Sequence, residues 1–183
     1  MAGSTSKTGK STDYEFQTVW RVAGTREEVV DVLGDAGTLK QWWPAVYLDV
    51  TPAPGAEGSY DLHTKGWLPY TLRWRLTPTE PATVDGFALT AKGDLNGTGR
   101  WTFETDGPEV VITYDWHVST AKPLLRRLSW LLKPLFSANH HWAMARGEES
   151  LKLELRRRRS TTGTANVPAP PGPTFTRKKR EVR

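Results

Sequence analysis

Apolar and polar positions alternate through most of the chain, with a period of two. Tyr14, Phe16, Thr18, Trp20 and Val22 share one phase, and Glu15, Gln17, Val19 and Arg21 the other, as in a strand buried on one face. Thr25-Arg-Glu-Glu28 then fits a capping box, with Thr25 as the N-cap of a short helix running through Leu33. Gly34-Asp35 interrupts that helix, and Asp35 is placed to cap a second short helix ending at Trp42-Trp43-Pro44. Six more strands are predicted over about 45–52, 58–65, 69–79, 84–92, 98–106 and 109–119. Turn residues separate them: Pro52 to Gly55, Lys65-Gly66, Thr79 to Pro81, Asn96-Gly97 and Asp106-Gly107-Pro108.

The alternation is sharpest where Tyr70, Leu72, Trp74 and Leu76 oppose Thr71, Arg73, Arg75 and Thr77, and where Ile112, Tyr114, Trp116 and Val118 oppose Thr113, Asp115 and His117. One face is aromatic and aliphatic and the other charged, which describes an antiparallel sheet covered on one side. On the charged face, Arg73 and Arg75 are expected to meet Glu104 and Asp115 across strands.

From Lys122 the period becomes helical. A segment from Leu124 to Leu132 is expected to stop near Pro134, where a second helix starts and runs to about Arg159, roughly 26 residues or ~39 Å. Arg156 to Arg159 fall in its last turn, where cations suit the helix dipole. At 100° per residue, Leu135, Trp142 and Leu153 form one inward flank and Met144, Leu151 and Leu155 the other. Between them lie Asn139, His140, Ala143, Gly147 and Ser150. Small and polar residues along a helix midline mean either close approach to the sheet or a space beneath the helix.

Composition changes this picture mainly at the ends. The formal charge is +5, yet Asp13 to Leu155 carries 14 Lys and Arg against 19 Asp and Glu. Lys7 and Lys10, with nine basic groups and one acid in residues 156–183, supply the surplus. Residues 1–12 and 160–183 lack the apolar content to fold and read as disordered tails around a domain spanning 13–159, the second tail being basic and rich in Pro and Gly. No apolar run approaches the ~20 residues that span a bilayer, and the N-terminus lacks a signal-peptide core, so no stable membrane insertion and a cytoplasmic location are expected. The chain has no cysteine, which excludes disulfides and thiolate chemistry. Four histidines without a carboxylate cluster give no metal site, since adjacent His140 and His141 diverge by about 100°. No nucleophile elbow or phosphate loop is present, and no cofactor is implied.

Thr64-Lys-Gly-Trp-Leu-Pro-Tyr-Thr-Leu-Arg-Trp74, Gly93-Asp-Leu-Asn-Gly-Thr-Gly-Arg-Trp101, Tyr114-Asp-Trp116 and Asn139-His-His-Trp-Ala-Met-Ala-Arg-Gly-Glu-Glu-Ser-Leu151 resemble the polyketide cyclase/dehydrase-type branch of the START/SRPBCC superfamily. The resemblance covers about Tyr14 to Leu155. It implies an α+β helix-grip (START/Bet v-like) fold, with a seven-stranded antiparallel sheet wrapped around a long C-terminal helix and two short helices after the first strand. It also implies a deep cavity between sheet and helix, in a superfamily that binds lipids, sterols, polyketides and hormones or catalyses cyclisation.

The expected ligand is small and hydrophobic, lipid- or polyketide-like, with Tyr70, Trp74, Trp101, Trp116, Asn139, His140, Ala143 and Gly147 lining its site. Nine tryptophans suit both a filled core and an aromatic pocket wall, with Trp42, Trp43 and Trp67 placed near the mouth. If the protein turns a substrate over, as a cyclase, aromatase or dehydratase, His140 and Tyr114 are the candidates for acid–base or hydrogen-bonding work. A third reading is an interaction module acting through the basic tail, where Arg177-Lys-Lys-Arg180 could touch nucleic acid or an anionic surface.

Overall fold

The computed structural model describes residues 13–120, 123–160 and 167–174. The tail expected at 1–12 and the basic run from Arg177 to Arg180 lie outside the described residues. Strand β1 (Asp13–Ala23) leads into helix α1 (Arg26–Leu33), a single 3-10 turn (Ala36–Thr38) and helix α2 (Leu39–Trp42). Six strands follow: β2 (Tyr47–Pro52), β3 (Tyr60–Lys65), β4 (Thr71–Pro78), β5 (Gly86–Gly93), β6 (Leu95–Asp106) and β7 (Glu109–Thr120). Helix α3 (Pro123–Arg159) closes the domain. All strand pairs are antiparallel in the order β1-β7-β6-β5-β4-β3-β2, so each hairpin neighbour in sequence is a neighbour in space and β1 returns beside β7.

Local chemistry sets the first helices as the sequence predicts. The Thr25 hydroxyl accepts from the Glu28 amide and the Glu28 carboxylate accepts from the Thr25 amide, which closes the capping box. Asp35 accepts from the Gly37 amide at 3.0 Å and so opens the 3-10 turn ahead of α2. The buried phase of β1, β4, β6 and β7 contributes Tyr14, Trp20, Val22, Trp74, Leu76, Trp101, Phe103, Ile112, Tyr114, Trp116 and Val118 to the core.

Three expectations need correction. Helix α3 is one helix of 37 residues with Pro134 inside it. A proline removes one amide donor from the ladder, and here the remaining bonds carry the helix through. The β5–β6 reversal lies at Gly93-Asp94, where Gly93 has φ +139° and the Asn96 side chain bonds both the amide and the carbonyl of Gly93. Gly97 instead sits within β6, where a Cβ would lie 1.9 Å from the His117 carbonyl oxygen. Finally, Arg75 makes a two-toothed bond to Asp61 on β3, and the Arg73 amide donates to Asp94. Strand β5 stands between β4 and the strands that carry Glu104 and Asp115, which puts those acids out of reach.

The helix end is pinned to the start of α1. Arg159 makes two bonds to the Glu28 carboxylate, at 2.6 and 2.7 Å, and donates to the Ala23 carbonyl, while Arg158 donates to the Asp31 carbonyl. Between the pinned end and its middle, α3 lies tight on the core through Met144, Gly147, Ser150, Leu151 and Leu155. Leu135, expected on an inward flank, is 37% exposed.

Gly147 is where helix and core come closest. A Cβ there would lie 2.3 Å from the Trp43 ring, and Trp43 is itself 3% exposed and packed against Trp20 and Trp42. Helix propensity favours alanine over glycine by about 1 kcal/mol, whereas overpacking a fixed core costs about 1–3 kcal/mol. Gly147→Ala is therefore expected to lower the thermal midpoint by up to about 6 °C. A rise in the midpoint, measured by circular dichroism, would show that the Trp43 ring yields.

Candidate functional site

Beyond Gly147, towards its N-terminus, α3 stands off the sheet and leaves a cavity of about 480 Å³. On the helix side its wall is Phe136, Asn139, His140, Ala143 and Met144. The floor is aromatic: Trp101 and Tyr114 stack at 3.9 Å with an 18° interplanar angle, Trp116 continues the stack at 5.6 Å, and Trp74 lies 5.9 Å beyond. Small residues make this floor possible. Ala91 and Gly99 occupy the strands between, and a Cβ on Gly99 would lie 2.8 Å from the Tyr114 hydroxyl and 2.9 Å from the Trp116 ring.

The cavity reaches both ends of the sheet. At one end its lining includes Lys65 at the end of β3, Gly66 of the β3–β4 loop and Ser119 of β7; at the other it includes Asp35, Gly58, Glu80 and Pro81. At the first end Asn139 accepts from the Leu68 amide at 3.2 Å, tying α3 to the β3–β4 loop. A Cβ on Gly66 would lie 2.1 Å from the Asn139 side-chain oxygen, so any larger residue there would displace the Asn139 amide from this contact.

Polar groups in the wall are few. The Trp74 indole donates to Thr64 at 3.1 Å. Tyr47, Tyr70 and Tyr114 line the cavity, and no described residue hydrogen-bonds their hydroxyls. Burial raises the pKa of all three, Tyr70 to about 12, so each remains a protonated donor at neutral pH. His140 stacks on Phe16 at 4.1 Å, and its Nε2 lies 3.4 Å from the Thr18 hydroxyl. Burial, with neighbouring His141, pushes its pKa down to about 4, which leaves a neutral imidazole at physiological pH.

Of the residues singled out in the sequence, Tyr70, Trp74, Trp101, Tyr114, Trp116, Asn139, His140 and Ala143 meet around this one space. Gly147 does not; it is covered by the Trp43 ring. Trp42 and Trp43, expected near the mouth, are 1% and 3% exposed, and of the two only Trp43 lines the cavity; Trp67 is half-buried on the β3–β4 loop. Both meanings of the small helix midline are thus realised, close approach at Gly147 and open space at Ala143. The residues that sequence reasoning did not place in the wall include Tyr14, Phe16, Tyr47, Leu72 and Phe136. Tyr14, Phe16 and Leu72 lie on an apolar phase already visible in β1 and β4. Tyr47 comes after a buried loop and has no such signal.

Among the described residues, no group of three His, Asp or Glu side chains could hold a metal ion, and no helix is long and apolar enough to cross a membrane. No protein-family model matches the chain, and no curated protein sequence does. Solved structures do resemble it. The Zhui aromatase/cyclase of Streptomyces sp. R1128 aligns at TM-score 0.62 and 16% identity, over 82% of this chain and 99% of that one. A START superfamily protein of Mycobacterium smegmatis gives 0.54 and 13%, over 79% and 98%. A STAR-related lipid transfer protein fragment of Xanthomonas axonopodis gives 0.51 and 20%, over 82% and 90%. The chain shares the helix-grip fold of these structures, a seven-stranded antiparallel sheet around a long C-terminal helix.

The depressed His140 pKa carries a stability consequence. Unfolded histidine, near 6.5, binds a proton that folded His140 refuses until about pH 4. Folding stability attributable to this group is complete above 6.5 and falls as pH drops from 6.5 to 4, by up to about 3 kcal/mol. Urea midpoints at pH 6.5 and 4.5 should differ less in His140→Phe, which keeps the stack on Phe16 without the titration. Equal pH slopes in the two proteins would contradict the assignment.

Proposed function

We propose that this protein binds one flat, hydrophobic ligand, lipid- or polyketide-like, between the sheet and α3. The observation that carries this reading is an open space of about 480 Å³ over a stacked Trp101–Tyr114–Trp116 floor, with unpartnered tyrosine hydroxyls in its wall. That size lies within the usual range of small-molecule sites. Apolar burial, roughly 25 cal/mol per Å², supplies affinity, and the hydroxyls of Tyr47, Tyr70 and Tyr114 orient ligand oxygens. Asn139 has a different part, because its oxygen is committed to the β3–β4 loop. Fold likeness to a protein described as an aromatase/cyclase and to one described as a lipid transfer protein supports the same class of ligand.

Turnover is the second reading, favoured by the neutral imidazole of His140 in the wall. A neutral base of this kind gives a rate that rises with pH through about 4 and is lost in His140→Ala.

Native mass spectrometry of protein purified gently from its host, followed by denaturing extraction, tests the binding reading. A stoichiometric apolar adduct is expected. Ala143→Trp, which fills the cavity from the helix side, should keep the fold and reduce adduct occupancy at least tenfold. A clean apo mass with no thermal shift across lipids and polycyclic aromatics would overturn the proposal.

A further inference from the structure

Residues 167–174, inside the stretch expected to be disordered, are bonded to the domain at both ends. The Arg157 guanidinium, itself paired with Glu154, donates to the Pro168 carbonyl at 3.3 Å near the C-terminal end of α3. Six residues later, Lys65 donates to the Thr174 carbonyl at 2.8 Å, and the Thr174 hydroxyl donates to the Gly66 carbonyl at 3.2 Å. Between these anchors Pro170, Pro171 and Pro173 are half-buried, so the segment lies on the domain. Length makes it a strap rather than a slack loop. From Asn139, whose side chain holds the Leu68 amide, to Arg157, α3 rises about 27 Å at 1.5 Å per residue. Six residues of polyproline II chain cover about 19 Å, and the long side chains of Arg157 and Lys65 close the difference. Both anchors are therefore made only when the segment is drawn out. Pro168, Pro170, Pro171 and Pro173 favour that extended form before docking and reduce the entropy lost on docking.

The far anchor is a wall of the cavity. Lys65 and Gly66 line it, and the β3–β4 loop carries Tyr70, another wall residue. The Lys65 amide is fixed by the Val46 carbonyl at 2.9 Å, so β3 is firm up to the point where the loop begins. Among the described residues, two hydrogen bonds then tie residues 66–70 to elements outside the loop. One is the Leu68 amide to Asn139 on α3, and the other is the Thr174 hydroxyl to the Gly66 carbonyl. The bond from the Tyr70 amide to the Leu68 carbonyl is internal to the loop. The loop is thus held from the helix and from the strap.

We propose that residues 167–174 are a clamp on the β3–β4 loop, holding it against Asn139 and so setting how fast the cavity exchanges its contents. Displacing Gly66 and Leu68 carries the Tyr70 side chain out of the wall and opens that end of the space. A clamp made of a few partly exposed hydrogen bonds opens far more often than the domain unfolds, which suits an element that must yield while the core stays intact. Its proline-stiffened form returns it to the loop after each opening with little chain to reorder. Control of exchange rests on the binding reading; the clamp itself does not.

Amide hydrogen exchange of the full chain, read by mass spectrometry, tests the clamp without any ligand. In Thr174→Val, which removes the hydroxyl and keeps the shape, residues 66–70 should exchange at least about threefold faster while residues 144–159 stay unchanged. Thr174→Ser, which keeps the hydroxyl, should match the parent. Changing Pro168, Pro170, Pro171 and Pro173 together to Ser slackens the strap and leaves its bonding groups in place, and should also speed exchange of the loop. Stopped-flow binding of the neutral probe N-phenyl-1-naphthylamine tests the control of access. Association and dissociation should both quicken by about threefold or more in Thr174→Val, with Kd within about twofold, because a barrier is lowered and no wall contact is lost. Unchanged exchange at residues 66–70 in both the valine and the four-serine variants would overturn the clamp. Faster loop exchange with unchanged probe rates would overturn its control of access. A probe that fails to bind even the parent would count against the binding reading, and hydrogen exchange would still decide the clamp.

Discussion

The Trp43 ring wedged beneath Gly147 sets the distance between α3 and the sheet, and the rest of the architecture depends on that spacing. On the C-terminal side of the wedge the helix closes onto Ser150, Leu151 and Leu155, and Arg159 locks it to Glu28. On the N-terminal side, the same rigid rod must diverge from a twisted sheet. A bulky residue at 147 would lift the helix, and a smaller one at 43 would let it fall onto the floor. The cavity is therefore the geometric complement of a local close contact rather than a hole left by missing side chains.

The floor shows the same economy in a different form. Trp42, Trp43, Trp20, Trp101, Tyr114, Trp116 and Trp74 form a continuous run of ring contacts between 3.9 and 5.9 Å. Trp42 and Trp20 fill the core, Trp43 lies at the boundary, and the last four face the space. Offset and tilted aromatic contacts of this kind add about 0.5–1.5 kcal/mol each beyond area burial, so the floor is stiff without a ligand on it. Stiffness has a cost visible elsewhere: among the described residues, none hydrogen-bonds the buried indole nitrogens of Trp20, Trp42 and Trp43 or the buried Ser150 hydroxyl. Each unmade bond costs about 1–3 kcal/mol. A core that accepts such losses to keep its rings in place is organised around shape.

Most of the fold is legible in the sequence because its signals are local. Period-two alternation locates seven strands, and Thr25 with Glu28 locates a helix start, since both depend on neighbouring residues alone. The failures are of long range. Asn96-Gly97 has hairpin chemistry, yet Gly97 is needed where His117 of β7 crowds it, a contact no local pattern contains. Arg75 lies two and three strands from the acids its alternation suggests, because strand order is not written in alternation. In the site, inward phase puts Trp74, Trp101, Tyr114 and Trp116 on the side of the sheet that faces the cavity. It does not tell Ala143, beneath which there is space, from Gly147, beneath which there is Trp43. Both read as small residues on one helix face, and only the placement of α2 separates them.

The physics of the cavity wall follows from its burial. Deep in the wall, burial holds the tyrosines protonated and His140 uncharged, so ligand contacts there are apolar or neutral hydrogen bonds. Such contacts are nearly indifferent to ionic strength. Affinity at such a wall comes from shape and apolar area, so it answers to the volume of the side chains that surround the space, Ala143 on the helix and Gly99 and Ala91 on the sheet, more than to any charge.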